Sequence, residues 1–229
     1  MQAFITGEPG KAPAWNMNGL DAEVETLPKI LQSVGYRTIH VGKAHFGAHG
    51  TSAADPVNLG FEVNIAGHAS GGPASYEGLH HFTVAGRQGA EPHAKSSVWD
   101  IPGLEAYHGH DIYLTEALAI EAGREIRRAA ADGTPFYMNF APYAVHAPIM
   151  ANRKYLGHYP DLDEREAAYA TMIETVDAAL GWNQPHQCGA AGPGIEPFSS
   201  VRQGHWKLIY FHAGRRFELY NLAKDIGEK

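Results

Sequence analysis

The sequence is poorest in cysteine, in long apolar runs and in clustered positive charge. Its 229 residues include a single cysteine, Cys188, which excludes an internal disulfide framework and a cysteine-based metal cluster. No uninterrupted apolar run approaches the roughly 18 residues of a membrane-spanning helix, so we expect no membrane partner. Acidic residues outnumber lysine and arginine by 25 to 18, for a net charge of −7. Without a basic cluster, nucleic acid is not expected as a partner.

The N-terminal segment also lacks the marks of a targeting signal. Residues 1–15 have neither a positively charged stretch nor an apolar core, so the sequence as it stands is not expected to open with a signal peptide. The compartment stays undecided, because a single cysteine does not report the redox environment. Histidine, in contrast, is abundant: 14 residues, gathered in loop-like segments, make anion or metal chemistry worth testing.

Helical and extended patterns alternate through the first 181 residues. Helical spacing of apolar residues predicts helices over residues 27–34, 111–131 and 163–180. Runs rich in β-branched and aromatic residues predict strands over residues 36–41 and 135–141. This alternation is typical of an α/β domain. The third core strand that it calls for does not follow the last helix, so we predict an incomplete central sheet.

Two segments of this region show little periodicity. Residues 1–25 are predicted to be an irregular lead-in. Residues 44–110 are rich in Gly, His, Ser and Pro and are predicted to form an ordered, substrate-facing excursion. A short strand near Phe82 to Ala85 is one option within it.

The C-terminal region has a different sequence pattern, without predicted helices. Short β segments over residues 199–202, 206–211 and 217–222, joined by glycine turns, predict an antiparallel meander. We therefore expect an α/β domain over residues 1–181 and a subdomain over residues 182–229. A set of aromatic residues there favours a hairpin core over a sugar-binding platform: Trp206, Tyr210, Phe211, Phe217 and Tyr220.

A glycine turn at the end of the first strand presents Lys43 and His45, one residue apart. His146 follows the second strand in the same way. Ligands of open α/β sheets bind at the carboxyl ends of strands, and a cation beside imidazoles suits an anion such as sulfate or phosphate. These three residues are the candidate anion site. A solvated turn without a ligand is the alternative that the spacing leaves open.

Other polar residues carry weaker signals. His108 and His110 are spaced as a metal pair, but no acidic or cysteine partner is evident. His80 and His81 favour a loop or surface role. His186 is a candidate substrate-binding residue, and Cys188 favours an inert thiol because no partner base is apparent.

The stretch GYRTIHVGKAHFG at residues 35–47 closely resembles the second signature of the type I sulfatases, arylsulfatase-like hydrolases of the alkaline phosphatase superfamily. Further segments resemble the family in the same order: TLPKILQSVGYRT at 26–38, YAVHAP at 143–148, YATMIETVDAALG at 169–181, SVRQGHWKLIYF at 200–211 and FELYNL at 217–222. The resemblance implies an alkaline-phosphatase-like α/β body with a small antiparallel C-terminal subdomain.

The resemblance also implies a chemistry, hydrolysis of sulfate esters on aryl or carbohydrate substrates. In the family, a cysteine in a Cys-x-Pro-Ser-Arg motif becomes a formylglycine whose hydrate attacks sulfur, and Ca²⁺ bound by Asp and Asn residues holds a sulfate oxygen. By resemblance, Lys43 contacts sulfate and formylglycine. His45 orients the formylglycine hydrate, and His146 binds sulfate and protonates the leaving oxygen.

Several parts of the family pattern are not found in this sequence. The nucleophile motif, the paired aspartates and the Asp-Asn segment that holds calcium are all missing, and residues 180–182 resemble a deletion junction. We therefore expect impaired or absent turnover. The alternatives are a non-catalytic binder of sulfate or sulfated glycans and a histidine-based metallohydrolase. The family is usually periplasmic or secreted. With only two core strands expected, we also predict marginal stability or self-association.

Overall fold

A computed structural model describes most of the chain, namely residues 4–6, 14–16, 19–84, 98–179, 181–184, 198–203, 205–211 and 214–225. The chain divides into two compact units, Met1–Met172 and Ile173–Lys229. The division between them falls inside a helix. The domain boundary that the sequence predicts after Gly181 stays a prediction. None of the helices within the described ranges is long and apolar enough to cross a membrane.

The described elements are nine strands and three α-helices with five short 3₁₀ turns. The helices are α1 (Leu27–Ser33), α2 (Leu114–Ala131) and α3 (Glu164–Ala179). The strands are β1 (Phe4–Thr6), β2 (Ala14–Asn16), β3 (Arg37–Gly42), β4 (Val63–Ile65), β5 (Phe136–Ala141), β6 (Gly181–Gln184), β7 (Phe198–Gln203), β8 (Trp206–Phe211) and β9 (Arg216–Asn221).

A parallel sheet in the order β4-β3-β5 forms the centre of the first unit. Strands β3 and β5 confirm the two predicted core strands. Strand β4 was not predicted, because three residues are too few to show a period. The optional strand near Phe82 is wrong, since residues 82–84 form a turn and a bend. Strands β1 and β2 pair antiparallel, so the lead-in is not irregular there.

Helix α1 begins as the sequence predicts but does not bury its apolar face. The Thr26 hydroxyl accepts the backbone N–H of Lys29 at 3.4 Å, a helix N-cap. Leu27 and Ile30 are nevertheless 53% and 45% exposed. The hydrophobic period therefore predicted the helix correctly, while its packing was not predictable from the period alone.

Helix α2 supplies much of the core beside β3. Leu114 and Leu118 are fully buried, as the helical period predicts. The helix starts three residues after the predicted residue 111, and Tyr113 occupies its N-cap position. An ion pair of 2.7 Å between Arg37 and Glu125 joins the start of β3 to this helix, and both side chains are largely buried.

The second unit contains an antiparallel sheet in the order β6-β7-β8-β9. Its last three strands confirm the predicted meander, and β6 adds a strand that the Gly/Pro-rich sequence did not indicate. The predicted aromatic core is only partly right. Phe211 is buried, whereas Trp206 and Phe217 are 51% and 66% exposed, and Phe217 stacks on Tyr210.

A row of polar side chains crosses the parallel sheet at one level. His40 lies opposite Asn64 of β4 and opposite Asn139 of β5. The His40 ring is fully buried, donates Nε2–H to the Gly42 carbonyl at 3.0 Å and accepts the Asn139 amide at Nδ1 at 3.1 Å. Burial lowers the pKa of His40 to about 4, against the opposing hydrogen bond to Gly42. The ring is therefore neutral, with both nitrogens satisfied.

This buried histidine predicts a loss of stability in acid. The unfolded chain takes up the proton near pH 6.5 and the folded chain only near pH 4. The neutral His40 therefore makes its full contribution to the free energy of unfolding above pH 6.5. This free energy falls by roughly 3 kcal/mol as the pH drops towards 4. Denaturant unfolding of wild type and His40→Gln at pH 7, 5.5 and 4.5 measures this. We expect the free energy of unfolding of His40→Gln to change less with pH than that of wild type, because glutamine does not titrate.

The control for this experiment is His110→Gln, which changes an exposed histidine. Its free energy of unfolding should depend on pH as that of wild type does. The same pH dependence for His40→Gln and wild type would contradict the expectation.

Candidate functional site

The loops that follow the three parallel strands lie at one edge of the sheet. Lys43 and His45 follow β3, His68 follows β4, and His146 follows β5. Since β3 pairs in parallel with both neighbours, the carboxyl ends of all three strands meet there. This is where α/β folds bind ligands.

The turn after β3 depends on Gly42. Its backbone has a φ of 102°, and a Cβ atom there would lie 2.1 Å from the Ala141 carbonyl oxygen. Only glycine fits such an approach of two backbones. The next amide, Lys43 N–H, donates to the same carbonyl at 2.6 Å. The turn that carries Lys43 is therefore fastened to the end of β5.

His45 occupies a left-handed backbone position between two loops. Its φ is 57°, and its N–H donates to the carbonyl of His68 at 3.0 Å. Partial burial lowers the pKa of His45, and the positive charges of Lys43 and His146 lower it further. The neutral imidazole is thus favoured without a ligand. A bound anion would reverse the charge effect and favour the protonated ring.

His146 is more exposed and is fixed by its backbone neighbours. Its N–H donates to Tyr143 O at 2.9 Å. Its Nδ1 lies 2.8 Å from Ala147 O, and because a carbonyl only accepts, Nδ1 carries a proton. Nε2 has no hydrogen-bond partner within the described ranges and can give or take a proton from a ligand.

Two consecutive glycines separate the imidazoles. A Cβ on Gly71 would lie 2.6 Å from His45 Nδ1, and a Cβ on Gly72 would lie 2.6 Å from His146 Nδ1. The chain therefore passes close against both rings. Any larger residue would displace an imidazole, so the loop after β4 sets the positions of histidines that belong to β3 and β5.

Two buried tyrosines tie these loops together. The Tyr76 hydroxyl lies 2.9 Å from Tyr143 O and 2.8 Å from His146 O. The Tyr143 hydroxyl donates to Ala66 O at 2.8 Å. Burial raises the pKa of both phenols, so they remain neutral donors. The turn that carries His146 is thus held from the core side.

The structure brings together three of the four residues predicted for the site. Lys43 and His146 each lie close enough to His45 for their charges to lower the pKa of its ring, while the chemical roles of the three residues stay predictions. His186 and Cys188 lie outside the described residues. His108 stacks on His81 at 4.9 Å. Within the described part of the chain, no group of three His, Cys, Asp or Glu side chains is placed to hold a metal, and this includes His108 and His110.

Sequence reasoning missed His68, Gly71 and Gly72. They belong to a segment without periodicity, and their roles arise from contacts with residues of other loops. The only sequence signal was a histidine and paired glycines shortly after an apolar run, which is common in loops.

Comparison with known proteins gives a consistent result. The Sulfatase family model matches residues 1–182. Arylsulfatase J of Mus musculus is 26% identical over 165 residues, which are 71% of this chain and 26% of that relative. The chain thus spans about a quarter of the length of this curated relative.

Solved structures share the fold. Ps i-CgsB matches with a TM-score of 0.55 and 16% identity over 93% of this chain and 71% of that one. Its complex with k-i-k-neocarrahexaose gives a TM-score of 0.54 at the same identity and coverage. The α/β body with a parallel sheet and a small antiparallel sheet therefore confirms the predicted fold class. Since the family model covers 182 of the 229 residues, the chain belongs to the sulfatase family.

Proposed function

We propose that this chain binds the sulfate group of a sulfate ester between Lys43, His45 and His146, as the anion-binding part of a sulfuric ester hydrolase site. The observation that carries the proposal is the position of one lysine and two histidines in the loops at the carboxyl edge of the parallel sheet, with the backbone of Gly71 and Gly72 against both imidazoles. Family membership supports sulfate as the anion.

Each side chain has a distinct part in this proposal. The Lys43 ammonium neutralises one sulfate oxygen through a charge-assisted hydrogen bond. His45, whose pKa is lowered by burial and by neighbouring positive charge, gains a proton as the anion binds. His146 presents Nε2 to the ester oxygen, because its Nδ1–H is already committed to Ala147. A protonated Nε2 can then protonate the departing alcohol.

The attacking group is not supplied by these three residues. The family nucleophile motif, Cys-x-Pro-Ser-Arg, does not occur among the 229 residues, and Cys188 stands in the unrelated context Gln-Cys-Gly-Ala. The family is generally calcium-dependent. Among the described residues, no three His, Cys, Asp or Glu side chains lie together so that they could bind a metal ion. We therefore propose no calcium-binding role for these residues. We therefore expect the 229-residue chain to bind sulfate esters without hydrolysing them efficiently.

We propose a sulfated carbohydrate or aryl ester as the ligand. The name of arylsulfatase J supports an aryl ester. The complex of Ps i-CgsB with a neocarrahexaose supports a sulfated glycan, since carrageenan oligosaccharides are sulfated sugars. A non-catalytic receptor for such glycans is the second candidate, favoured by the missing nucleophile motif. Self-association also stays a prediction.

Sulfate binding is the first test. Titration calorimetry with inorganic sulfate should show saturable binding to wild type. Lys43→Ala should weaken it roughly 10- to 100-fold, the loss expected for one charge-assisted hydrogen bond. The exposed lysine variant Lys224→Ala controls for net charge and should bind as wild type does. Equal affinities for Lys43→Ala and Lys224→Ala would contradict the proposed site.

Turnover separates a hydrolase from a binder. Purified chain, produced in a host that makes formylglycine and supplied with calcium, should hydrolyse an aryl sulfate at least about 100-fold more slowly than an intact family member. Losing even one group that stabilises the transition state costs roughly 100- to 1,000-fold. A rate within about tenfold of the intact enzyme would show that another group attacks sulfur.

The glycine pair gives a test of geometry. Gly72→Ala places a methyl group 2.6 Å from His146 Nδ1, so the imidazole must move. We expect sulfate affinity to fall roughly three- to tenfold, a part of the energy of one charged hydrogen bond. Gly157→Ala is the matched control, because a Cβ there meets no atom within 4 Å. Unchanged affinity in Gly72→Ala would argue against a role of His146.

A further inference from the structure

The parallel sheet has two edge strands of different character. β4 forms one edge and has three residues, whereas β5 forms the other and has six. Proteins keep edge strands from pairing with other chains by making them short or by placing charged residues and prolines in them. β5 has the sequence FYMNFA, without a charged residue or a proline. Its outer side is therefore an open edge whose sequence suits strand pairing.

The register with β3 shows which backbone groups of β5 point away from the sheet. The Arg37 N–H donates to Pro135 O at 2.9 Å, and in a parallel pair alternate residues bond to the neighbouring strand. The residues that face β3 are thus Pro135, Tyr137, Asn139 and Ala141. The residues whose N–H and C=O groups point outward are Phe136, Met138 and Phe140. None of these outward groups has a hydrogen-bond partner among the described residues.

The open edge is accessible along its whole length. Every residue of β5 keeps part of its surface exposed, whereas the adjacent β3 is buried from Thr38 to Gly42. The row of outward donors also has a defined length. On one side the Thr134 N–H already donates to Ala129 O at 3.0 Å, and on the other side Pro142 has no N–H to offer. The edge therefore fits a short extended segment of polypeptide.

We propose that this open edge pairs antiparallel with the same edge of a second copy of the chain, about a twofold axis at Met138. The edge is its own complement, because each outward residue carries one donor and one acceptor. With the axis at Met138, the two Met138 residues face each other and Phe136 of each copy faces Phe140 of the other. Each facing pair exchanges two hydrogen bonds, and this register alone uses all three outward residues.

Three properties of the edge favour a second copy as its occupant. The outward row ends at the same residues in both copies, so the two rows match in length. The strand is uncharged, so two copies do not repel each other there, and facing phenylalanines are a favourable cross-strand pair. The dimer is also closed, because only the three-residue β4 edge remains. The proposal gives the self-association predicted from the sequence a surface, and it does not depend on the sulfate site.

Sedimentation velocity over a range of protein concentrations tests the proposal. Wild type should form dimers as the concentration rises. Met138→Pro removes an outward N–H without removing a bond to β3, a position at which edge strands tolerate proline. We expect its dimer dissociation constant to rise at least about tenfold, because a twofold dimer loses the hydrogen bond twice. Met138→Leu keeps the N–H and is the matched control, which should dimerise as wild type does.

Two results would overturn the proposed dimer. One is a wild-type chain that stays monomeric at every concentration, and the other is equal dimerisation of Met138→Pro and Met138→Leu. Lys43→Ala should dimerise as wild type does, so a failure of the sulfate site leaves this experiment unchanged.

Disulfide cross-linking tests the register without a proline. Cys188, the single cysteine, is replaced by serine, and Met138→Cys is added. In the proposed register the two Cα atoms at position 138 lie about 5.5 Å apart, within the range of disulfides. Mild oxidation should give a covalent dimer, whereas the exposed control Lys224→Cys in the same background should stay largely monomeric. No covalent dimer of Met138→Cys, or equal cross-linking of both variants, would overturn the register.

Discussion

The buried His40, at the centre of the polar row across the parallel sheet, is the constraint on which the rest of the site depends. His40 is enclosed by aromatic rings, with Phe61 at 5.2 Å and Phe46 at 5.5 Å, and would be costly there if either nitrogen lacked a partner. Asn139 satisfies one nitrogen and the Gly42 carbonyl satisfies the other. Because Gly42 begins the turn that carries Lys43, one hydrogen bond belongs both to the core and to the site.

The site concentrates features that oppose folding. A lysine and two imidazoles lie near one another, and His45 has a left-handed backbone. Such features persist where the surroundings hold them in place. Here the buried tyrosines bridge the loops, and β3 is joined to α2 by the Arg37–Glu125 pair. A ligand that binds only the folded chain would stabilise it, so ligand binding and stability would be coupled.

Local patterns predicted what depends on neighbouring residues. The period of β3 and its glycine turn predicted Lys43 and His45 correctly at a strand's carboxyl end, and the capped start of α1 followed from Thr26. Strand β4 was not predictable, since its three residues gain their regularity only by pairing with β3. His68 and the glycine pair were not predictable either, because their meaning comes from rings in other loops. Long-range contact, rather than composition, decides these positions.

The proposed anion site would link anion binding to proton uptake at His45. Partial burial lowers the pKa of this ring, and the positive charges of Lys43 and His146 lower it further. A sulfate among the three side chains would act in the opposite direction, because an adjacent negative charge favours the protonated imidazole. A group whose pKa rises when a ligand binds takes up a proton with that ligand, so the affinity for the anion would increase as the pH falls. The Gly71 backbone lies against the same ring, so the loop after β4 fixes the position from which His45 would meet the anion.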